Sequence, residues 1–316
     1  MTRLGYQIPN FTYPGVAPDQ LFGTVVAQAV DAENSGFDTV LVMDHFYQLP
    51  ILGEPDEPMF ECYTLLSALA QHTSTVRLSS LVTGNTYRNP ALLAKTVTAL
   101  DIVSGGRGQL GIGAGWFELE HDSLGFEFGS FSDRFEKLEE SLQIVLGMFD
   151  GARPSLDGKW YRAHEAVNVP APLSKIPVMI GGGGERKTLR LVAQYADESN
   201  LICAVEDIGR KLEALAGHCA RLGRDRSEIS VSLQTSACIA PTHDEAVAEY
   251  EAYLARNPAA EVRRGSAVVG DPDEVGARYA ELLATGVDGF TVNAPANGHV
   301  PGRVSLLGQT LAPLIS

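Results

Sequence analysis

The amino-acid sequence predicts an α/β fold, a (β/α)8 TIM barrel with loop insertions at its C-terminal face, formed as a single domain over residues 1–316. Short apolar, β-branched runs alternate with helix-periodic stretches eight times along the chain. Such repeated βα units build parallel sheets whose strands are buried, and eight units in a chain of this length match the closed barrel. A doubly wound open sheet is the alternative, but no glycine-rich phosphate turn follows the first strand.

The individual elements follow from hydrophobic period and from start and stop residues. Strands are predicted at residues 6–8, 39–43, 76–83, 108–113, 177–180, 199–204, 229–239 and 289–292. Helices are predicted at residues 19–34, 65–71, 90–103, 132–148, 187–195, 208–222, 244–254, 272–283 and 306–314. Asn89 and Pro90 are start signals of the helix 90–103, and Ser132 is the candidate N-cap of the helix 132–148.

The composition favours a soluble enzyme with a large core, and we expect it in the cytoplasm. Hydrophobic residues make up 45% of the chain, enough for a sizeable core. The net charge of −15 disfavours a nucleic-acid or anionic-membrane partner, because both require a basic face. The sequence shows neither a signal peptide nor an apolar run of the roughly 20 residues that a membrane helix needs. The four cysteines are widely spaced, which predicts reduced thiols rather than disulfides or a zinc site.

Three long insertions interrupt the alternation, at residues 46–60, 114–131 and 152–176. Long loops in a compact domain are usually functional, and the first two follow the C-terminal ends of strands, where barrels have their active sites. Five aromatic residues in the segment 114–131 predict an ordered wall. Residues 156–159 have the composition of a hairpin turn.

Asp44 and His45 end the second predicted strand. An imidazole at that position lies on the floor of the pocket, where it can donate to a ligand oxygen or carry a proton. A histidine that only caps the loop is the other interpretation, and position alone does not separate the two.

The third and fourth strands end in small or polar residues, at 79–85 and 111–116. Small residues allow a flat ligand to approach the backbone, and Trp116 offers a stacking face, although an ordinary exit from a strand also explains the segment 79–85. The glycine pattern at 111–115 lacks the spacing of the dinucleotide fingerprint. Glu120 and His121 follow as a candidate acid and base, or as solvated loop charges.

A run of four glycines, residues 181–184, follows the fifth strand and leads into a helix through Glu185, Arg186 and Lys187. Exposed backbone N–H groups, a helix N-terminus and two cations together predict a phosphate cradle. The alternative is a flexible strand-to-helix turn. The segment is not a P-loop, because the Gly-Lys-Ser/Thr ending is missing.

Two other kinds of active site lack support in the sequence. No cluster of His and Asp has the spacing of metal ligands, so no metal site is predicted. The Gly-x-Ser-x-Gly elbow of serine hydrolases does not occur either.

Taken together, these segments resemble the luciferase-like monooxygenase superfamily, in particular its branch of coenzyme F420-dependent oxidoreductases. The resemblance is carried by residues 44–45, 83–91, 100–101 with 104–107, 111–116 and 180–189. It extends over nearly the whole chain, with the segments in the order and spacing of the family.

The resemblance implies a dimeric TIM barrel that binds the deazaflavin coenzyme F420 across the strand ends, with FMN as the alternative. It places His45 against the coenzyme ring, a non-prolyl cis peptide within residues 80–83 behind the ring, and the phosphate on the glycine run. The expected coenzyme contacts are Asp44, Ser80, Leu81, Thr83, Gly113, Gly182, Gly183 and Gly184.

Trp116 stands where the sugar-phosphate dehydrogenases of this branch carry a catalytic glutamate, which disfavours a sugar substrate. We therefore expect a reductase of an electrophilic or unsaturated small molecule, with Trp116 and Phe117 in the substrate pocket. The expected catalytic groups are His45, Glu120 and His121. An FMN-dependent monooxygenase is the close alternative, and a non-catalytic cofactor-binding barrel is the alternative from another class.

Overall fold

Eight parallel strands close into a barrel in the computed structural model, which describes residues 2–315. The strands are β1 Leu4–Ile8, β2 Thr39–Val42, β3 Arg77–Ser80, β4 Thr83–Gly84, β5 Gly108–Gly113, β6 Leu156–Asp157, β7 Arg162–Ala163, β8 Val178–Gly181, β9 Glu198–Leu201, β10 Ser230–Ile239, β11 Ala267–Gly270 and β12 Gly289–Asn293. The helices are α1 Leu21–Asn34, α2 Cys62–Leu69, α3 Pro90–Val103, α4 Glu118–Leu124, α5 Phe131–Phe149, α6 Thr188–Tyr195, α7 Ile208–Leu222, α8 His243–Arg256, α9 Pro272–Leu283 and α10 Arg303–Ile315.

The barrel follows the strand order β1, β2, β3, β5, β8, β9, β10 and β12, and the pair β12–β1 closes the ring. All of these pairings are parallel. The short strand β4 continues the path of β3 and pairs with β5, while β11 pairs with the last four residues of β10. The predicted barrel is therefore confirmed, and the open doubly wound sheet is not observed.

The main core lies between the strands and the helices. Alternate residues of a strand point to opposite faces, so Tyr6 and Ile8 of β1 both contribute to this layer, and both are fully buried. Leu78, Leu110 and Phe290 do the same from three other strands.

The barrel interior, by contrast, is polar over part of its length. Glu198, at the start of β9, is buried and accepts hydrogen bonds from the backbone N–H of Thr2 and from Nε2 of Gln109, each at 2.9 Å. Amide and hydroxyl side chains continue this polar lining toward the other end of the barrel, where Gln7 and Gln234 are hydrogen-bonded at 2.8 Å. Polar side chains therefore line the barrel interior from Glu198 at one end to Gln7 and Gln234 near the other.

The largest departure from the predicted elements lies in the insertion 114–131. It contains the helix α4, which ends at Gly125 in the left-handed conformation with a φ of 76°. The next helix begins at Phe131, one residue earlier than predicted: Ser130, and not Ser132, is the N-cap, and it forms a capping box with Asp133. The capping box satisfies two otherwise unpaired N–H groups.

Two further differences concern strands. The third predicted strand is split, because the chain leaves the sheet at Leu81 and Val82 between β3 and β4. A 3-10 helix, Pro258–Ser266, and the strand β11 fill a stretch for which the sequence predicted no element. The predicted hairpin around residues 156–159 is confirmed by the antiparallel pair β6–β7.

Within residues 2–315, no helix is both long and apolar enough to cross a membrane. The same residues bring together no group of three or more His, Cys, Asp or Glu side chains that could hold a metal ion. All four cysteines are free thiols.

Candidate active site

The carboxyl ends of the parallel strands meet at one mouth of the barrel, so residues that follow different strands become neighbours there. His45 follows β2, Gly113 ends β5, and Gly182 follows β8. Most of the predicted site residues therefore lie at this mouth.

His45 is held by a single carboxylate. Its Nδ1 lies 2.9 Å from Oε2 of Glu120, and only 9% of the residue is exposed. An ionised carboxylate can only accept hydrogen bonds, so Nδ1 carries the hydrogen and Nε2 is left as the free nitrogen. Nε2 has no hydrogen-bond partner in the described part of the chain, and the ring lies edge-on to Trp116, with centroids 5.7 Å apart.

Glu120 is fully buried and saturated with donors. Besides His45, it accepts the backbone N–H groups of Phe46 and Tyr47 and the hydroxyl of Tyr87 at 2.5 Å. Burial raises the pKa of this carboxyl, but the hydrogen bonds from His45, Tyr87 and the backbone outweigh burial and lower the pKa below its ordinary value. An ionised, fully bonded carboxylate is suited to orienting His45; the predicted proton transfer by Glu120 stays a prediction.

His121 makes hydrogen bonds with both ring nitrogens. Nδ1 donates to the carbonyl of Phe117 at 2.8 Å, so Nε2 accepts from the hydroxyl of Thr86 at 2.7 Å. The ring packs against Tyr87 and Phe128, with centroids 4.9 and 4.7 Å away. Its predicted catalytic role stays a prediction; in this arrangement His121 links α4 to the loop after β4.

Asp44 forms a buried ion pair. Its two carboxylate oxygens accept from Nη1 and Nη2 of Arg88 at 2.5 and 3.0 Å, and Arg88 also contacts Glu61 at 2.6 Å. Burial raises the pKa of Asp44 above its ordinary value even though Arg88 acts in the opposite direction. Both carboxylate oxygens are thus engaged with Arg88, which joins the end of β2 to the start of α3.

The predicted substrate residues differ in exposure. Trp116 is 61% exposed, whereas Phe117 is buried beside His45 at a centroid distance of 5.8 Å. The two rings lie 5.2 Å apart. Trp116 therefore presents an open aromatic face beside His45 at the mouth, and Phe117 packs behind it.

The segment between β3 and β4 contains a cis peptide bond joining Leu81 and Val82, within the range where the resemblance implied one. Ser80 donates to the carbonyl of Gly111 at 2.8 Å, and Thr83 donates to Ser80 at 3.0 Å. The first bond attaches the segment to β5, and the second joins the two ends of the segment.

Three glycines make room for Val82. A methyl group added at Gly113 or Gly181 would lie 2.9 or 2.8 Å from the Val82 side chain, and one at Gly111 would lie 2.0 Å from the carbonyl oxygen of Ser80. Protein interiors are close-packed, so none of these methyl groups would fit without a shift. Packing against residues 80–82 thus explains these three glycines, whether or not a ligand also contacts Gly113.

The glycine run after β8 leaves backbone donors unused. Gly182, with a φ of 119°, donates to the carbonyl of Asn200, but the N–H groups of Gly183 and Gly184 find no acceptor in residues 2–315. A methyl group at Gly183 would lie 3.1 Å from the carbonyl oxygen of Ile202. Arg186 is exposed and forms no ion pair with the described residues. Free N–H groups, a confined backbone and an unpaired cation suit a phosphate, and we conclude that these residues fit the phosphate of a coenzyme.

Sequence reasoning gave no role to several residues that shape this site. Tyr87 and Arg88 lie inside the segment 83–91 that carried the resemblance, but their partners Glu120 and Asp44 are distant in sequence. Lys211 donates to the carbonyl of Gly183 at 2.7 Å and fixes the glycine run from α7. No local pattern marks such long-range pairs.

Known proteins with similar sequences and folds share this architecture. An F420-dependent glucose-6-phosphate dehydrogenase from Microbacterium testaceum (strain StLB037) is 27% identical over 94% of this chain and 86% of its own. A 5,10-methylenetetrahydromethanopterin reductase from Methanolobus tindarius is 25% identical over 89% and 93% of the two chains. Among solved structures, an F420-dependent secondary alcohol dehydrogenase bound to an F420-acetone adduct superposes with a TM-score of 0.81 at 20% identity, covering 100% of this chain and 99% of its own.

The family model for luciferase-like monooxygenases matches residues 2–263. This match extends from the first barrel strand through the α8 helix and includes the His45–Glu120 pair and the glycine run. The chain therefore belongs to the luciferase-like monooxygenase family.

Proposed function

We propose that the protein is an oxidoreductase that transfers a hydride between coenzyme F420 and a small organic substrate, acting as a reductase of an electrophilic or unsaturated acceptor. The observation that carries this proposal is the buried His45–Glu120 pair, which leaves Nε2 of His45 free at the mouth. Relatives named F420-dependent glucose-6-phosphate dehydrogenases, which align over 86% and 94% of their own length, support the choice of coenzyme.

The glycine run supports coenzyme binding through its unpaired N–H groups. Gly183 and Gly184 would donate to the phosphate, Gly182 would let the backbone approach it, and Arg186 is the nearby cation. Residues 80–83 and Gly113 form the backbone surface behind the ring. Bound there in its reduced form, a deazaflavin supplies a hydride.

The side chains at the mouth complete the reaction. His45 hydrogen-bonds the substrate through Nε2 and moves a proton to or from it, while Glu120 fixes the imidazole. Trp116 and Phe117 give the substrate an apolar surface and exclude water. An aromatic side chain at position 116, where a glutamate would suit oxidation of an alcohol, supports the direction of reduction.

We also propose that the protein is a cytoplasmic homodimer. Leu92 and Val103 at the two ends of α3, and Val169 and Leu173 in the segment that runs beside it, are between 48% and 72% exposed. The segment is attached to this helix, since Nζ of Lys95 donates to the carbonyl of Val169 at 2.7 Å. Several exposed apolar side chains on one helix and the segment attached to it are typical of subunit contacts. Free thiols support a reducing compartment.

Reconstitution tests which coenzyme the protein binds. The purified chain is incubated with F420 or with FMN, separated from free coenzyme by gel filtration, and assayed for retained coenzyme and for the reaction of its reduced complex with oxygen. We expect retention of F420 and slow oxidation. Retention of FMN with rapid oxygen consumption would instead support the monooxygenase.

A panel of substrates tests whether the protein is an enzyme or a non-catalytic, cofactor-binding barrel. The F420 complex in reduced form is mixed with conjugated carbonyl compounds, nitro compounds and imines. We expect turnover with at least one class; tight retention of F420 without turnover on any of them would favour the cofactor-binding barrel.

A further inference from the structure

A column of neutral polar side chains rises through the barrel interior. Nδ2 of Asn200 donates to Thr291 at 2.7 Å, and Thr291 donates to Oε1 of Gln234 at 2.6 Å. Nε2 of Gln234 then donates to Oε1 of Gln7 at 2.8 Å. Each step passes a hydrogen bond toward the mouth.

The column fixes which end of the Gln7 carboxamide faces outward. The Thr291 hydroxyl accepts from Asn200 and donates its single hydrogen to Oε1 of Gln234. Gln234 therefore presents its oxygen to Thr291 and its NH2 group to Gln7. Asn293, the last residue of β12, also donates to Oε1 of Gln7, at 2.9 Å.

The oxygen of Gln7 is thus used twice, and its NH2 group is not used at all. Gln7 is only 5% exposed, yet Nε2 has no acceptor among residues 2–315. The residue stands one position before the end of β1, paired with Leu41 of β2, and the β2 chain reaches His45 four residues later. Nε2 is not fully enclosed, so a ligand oxygen at the mouth can reach it and accept its hydrogen bond.

We propose that Gln7 is a second hydrogen-bond donor to the substrate, and that the substrate is a conjugated carbonyl compound whose oxygen accepts this bond. The inference rests on the proposed function and adds to it a substrate class. The required partner is an acceptor oxygen, because the outward-facing group of Gln7 carries only hydrogens.

The substrate gains one hydride and one proton in this reaction. A hydride from the reduced deazaflavin forms a C–H bond at the β-carbon, the C=C π pair shifts, and the electron pair of the carbonyl π bond moves onto the oxygen as an enolate. The N–H of Gln7 stabilises that negative charge. A proton from water, or from the cationic form of His45 in which Nε2 also carries a hydrogen, then forms the second C–H bond at the α-carbon; the substrate is reduced by two electrons and the coenzyme is oxidised.

A spectroscopic titration tests the hydrogen bond without turnover. The full chain, with and without oxidised F420, is titrated with p-(dimethylamino)cinnamaldehyde, a conjugated aldehyde whose absorption moves to longer wavelength when its oxygen accepts a hydrogen bond. We expect a red shift with the wild type and a smaller shift with Gln7→Met, together with about tenfold weaker binding. An undiminished shift in Gln7→Met would overturn the proposal.

Gln28→Met is the matched control. Gln28 is also a buried glutamine, but its amide is bonded to Tyr6 and Tyr13 beside α1. We expect this variant to lose stability and to keep the full red shift. A shift lost equally in both variants would mean that the effect of Gln7 is only structural.

Gln7→Glu covers the case in which Gln7→Met does not fold. It keeps an oxygen for Gln234 and Asn293 but replaces the outward NH2 group, so an ionised carboxylate cannot donate and a protonated one can. We expect a red shift that is lost at high pH and recovered at low pH. A shift that is full at every pH would contradict the proposal.

Kinetics with the same proteins separate this inference from the proposed function. We expect Gln7→Met to lower kcat for a conjugated ketone by about 10²-fold, the effect of losing one oxyanion donor, with F420 retention unchanged. Loss of F420 retention by the wild type would refute the proposed function, whereas a normal kcat in Gln7→Met would refute only the role of Gln7.

Discussion

His45 owes its orientation to Glu120, and its Nε2 has no hydrogen-bond partner among residues 2–315. We expect His45→Ala to lower turnover by about 10²–10⁴-fold, the usual contribution of a placed acid–base group, with F420 affinity little changed. Steady-state kinetics with a substrate found in the panel measure this. The control is His72→Ala, an exposed histidine that precedes β3 at the opposite end of the barrel; equal losses in both variants would rule out the assignment.

The ionisation of Glu120 links the site to the stability of the folded protein. The pKa of Glu120 is lowered in the folded protein, so the unfolded chain binds this proton more readily. The ionised carboxylate therefore stabilises the folded state above the unfolded pKa of about 4.3. This stabilisation is lost as the pH falls through the folded pKa. We expect Glu120→Gln to lower the urea midpoint at neutral pH and this deficit to shrink below about pH 4. Glu118→Gln, an exposed change on the same helix, is the control, and a deficit independent of pH would contradict the linkage.

At the residue scale, the sequence predicted which side chains reach the mouth better than it predicted their partners. His45 and Trp116 were singled out because strand ends and aromatic loops converge in a barrel. The bond from Tyr87 to Glu120 joins residues 33 apart, and the ion pair of Arg88 with Asp44 joins residues 44 apart. Such pairs depend on how separate βα units pack together, and no local periodicity encodes them.

At the scale of elements, the break between β3 and β4 sets the shape of the mouth. We expect Gly111→Ala to destabilise the protein by about 1–3 kcal/mol, as overpacking does, because the added methyl group would lie 2.0 Å from the Ser80 carbonyl oxygen. Urea denaturation measures the change. Gly217→Ala, inside α7 with its nearest atom at 3.7 Å, should stabilise the protein by up to about 1 kcal/mol; destabilisation of the same size in both would contradict the argument.

The glycine run makes a separate prediction about binding. We expect Gly183→Val to weaken F420 binding at least tenfold with the fold retained, because the larger side chain meets the Ile202 carbonyl and the Lys211 stem, 3.1 and 3.3 Å from the Cβ position. Fluorescence titration with F420 and the far-ultraviolet circular dichroism spectrum report on binding and fold. If the Gly183→Val protein folds and binds F420 with wild-type affinity, the phosphate of F420 does not bind at this glycine run.

Elements with clear boundary residues were predicted well, and irregular ones were not. Asn89 and Pro90 fixed the start of α3 at the predicted residue. The helix α4 was missed because the aromatic residues of the segment 114–131 suggested an ordered wall formed by a loop, although Gly125 was a possible stop signal. The third strand is split just after Ser80, which is hydrogen-bonded to Gly111 on the next strand, a contact that the sequence of residues 76–83 does not encode.

At the scale of the whole molecule, the exposed apolar surface beside α3 predicts self-association. We expect Leu92→Glu with Val169→Glu to shift the protein from dimer to monomer, because the two side chains are 59% and 72% exposed in the single chain and charges at an interface core are unfavourable. Sedimentation equilibrium gives the mass. Val262→Glu is the control, because Val262 is a similarly exposed residue of the 3-10 helix after α8. A monomeric mass for the wild-type protein would refute the proposed dimer.

The close contact of Val82 with two strands also bears on how the family can diversify. Gly113 and Gly181 each lie within 3 Å of Val82 when extended by one methyl group, so none of the three positions can enlarge alone. Substitutions there are expected to be epistatic, tolerated only when Val82 becomes smaller at the same time. A directed-evolution library aimed at new substrates should therefore leave these three codons fixed or vary them jointly, and place its independent diversity in the loop that carries Trp116.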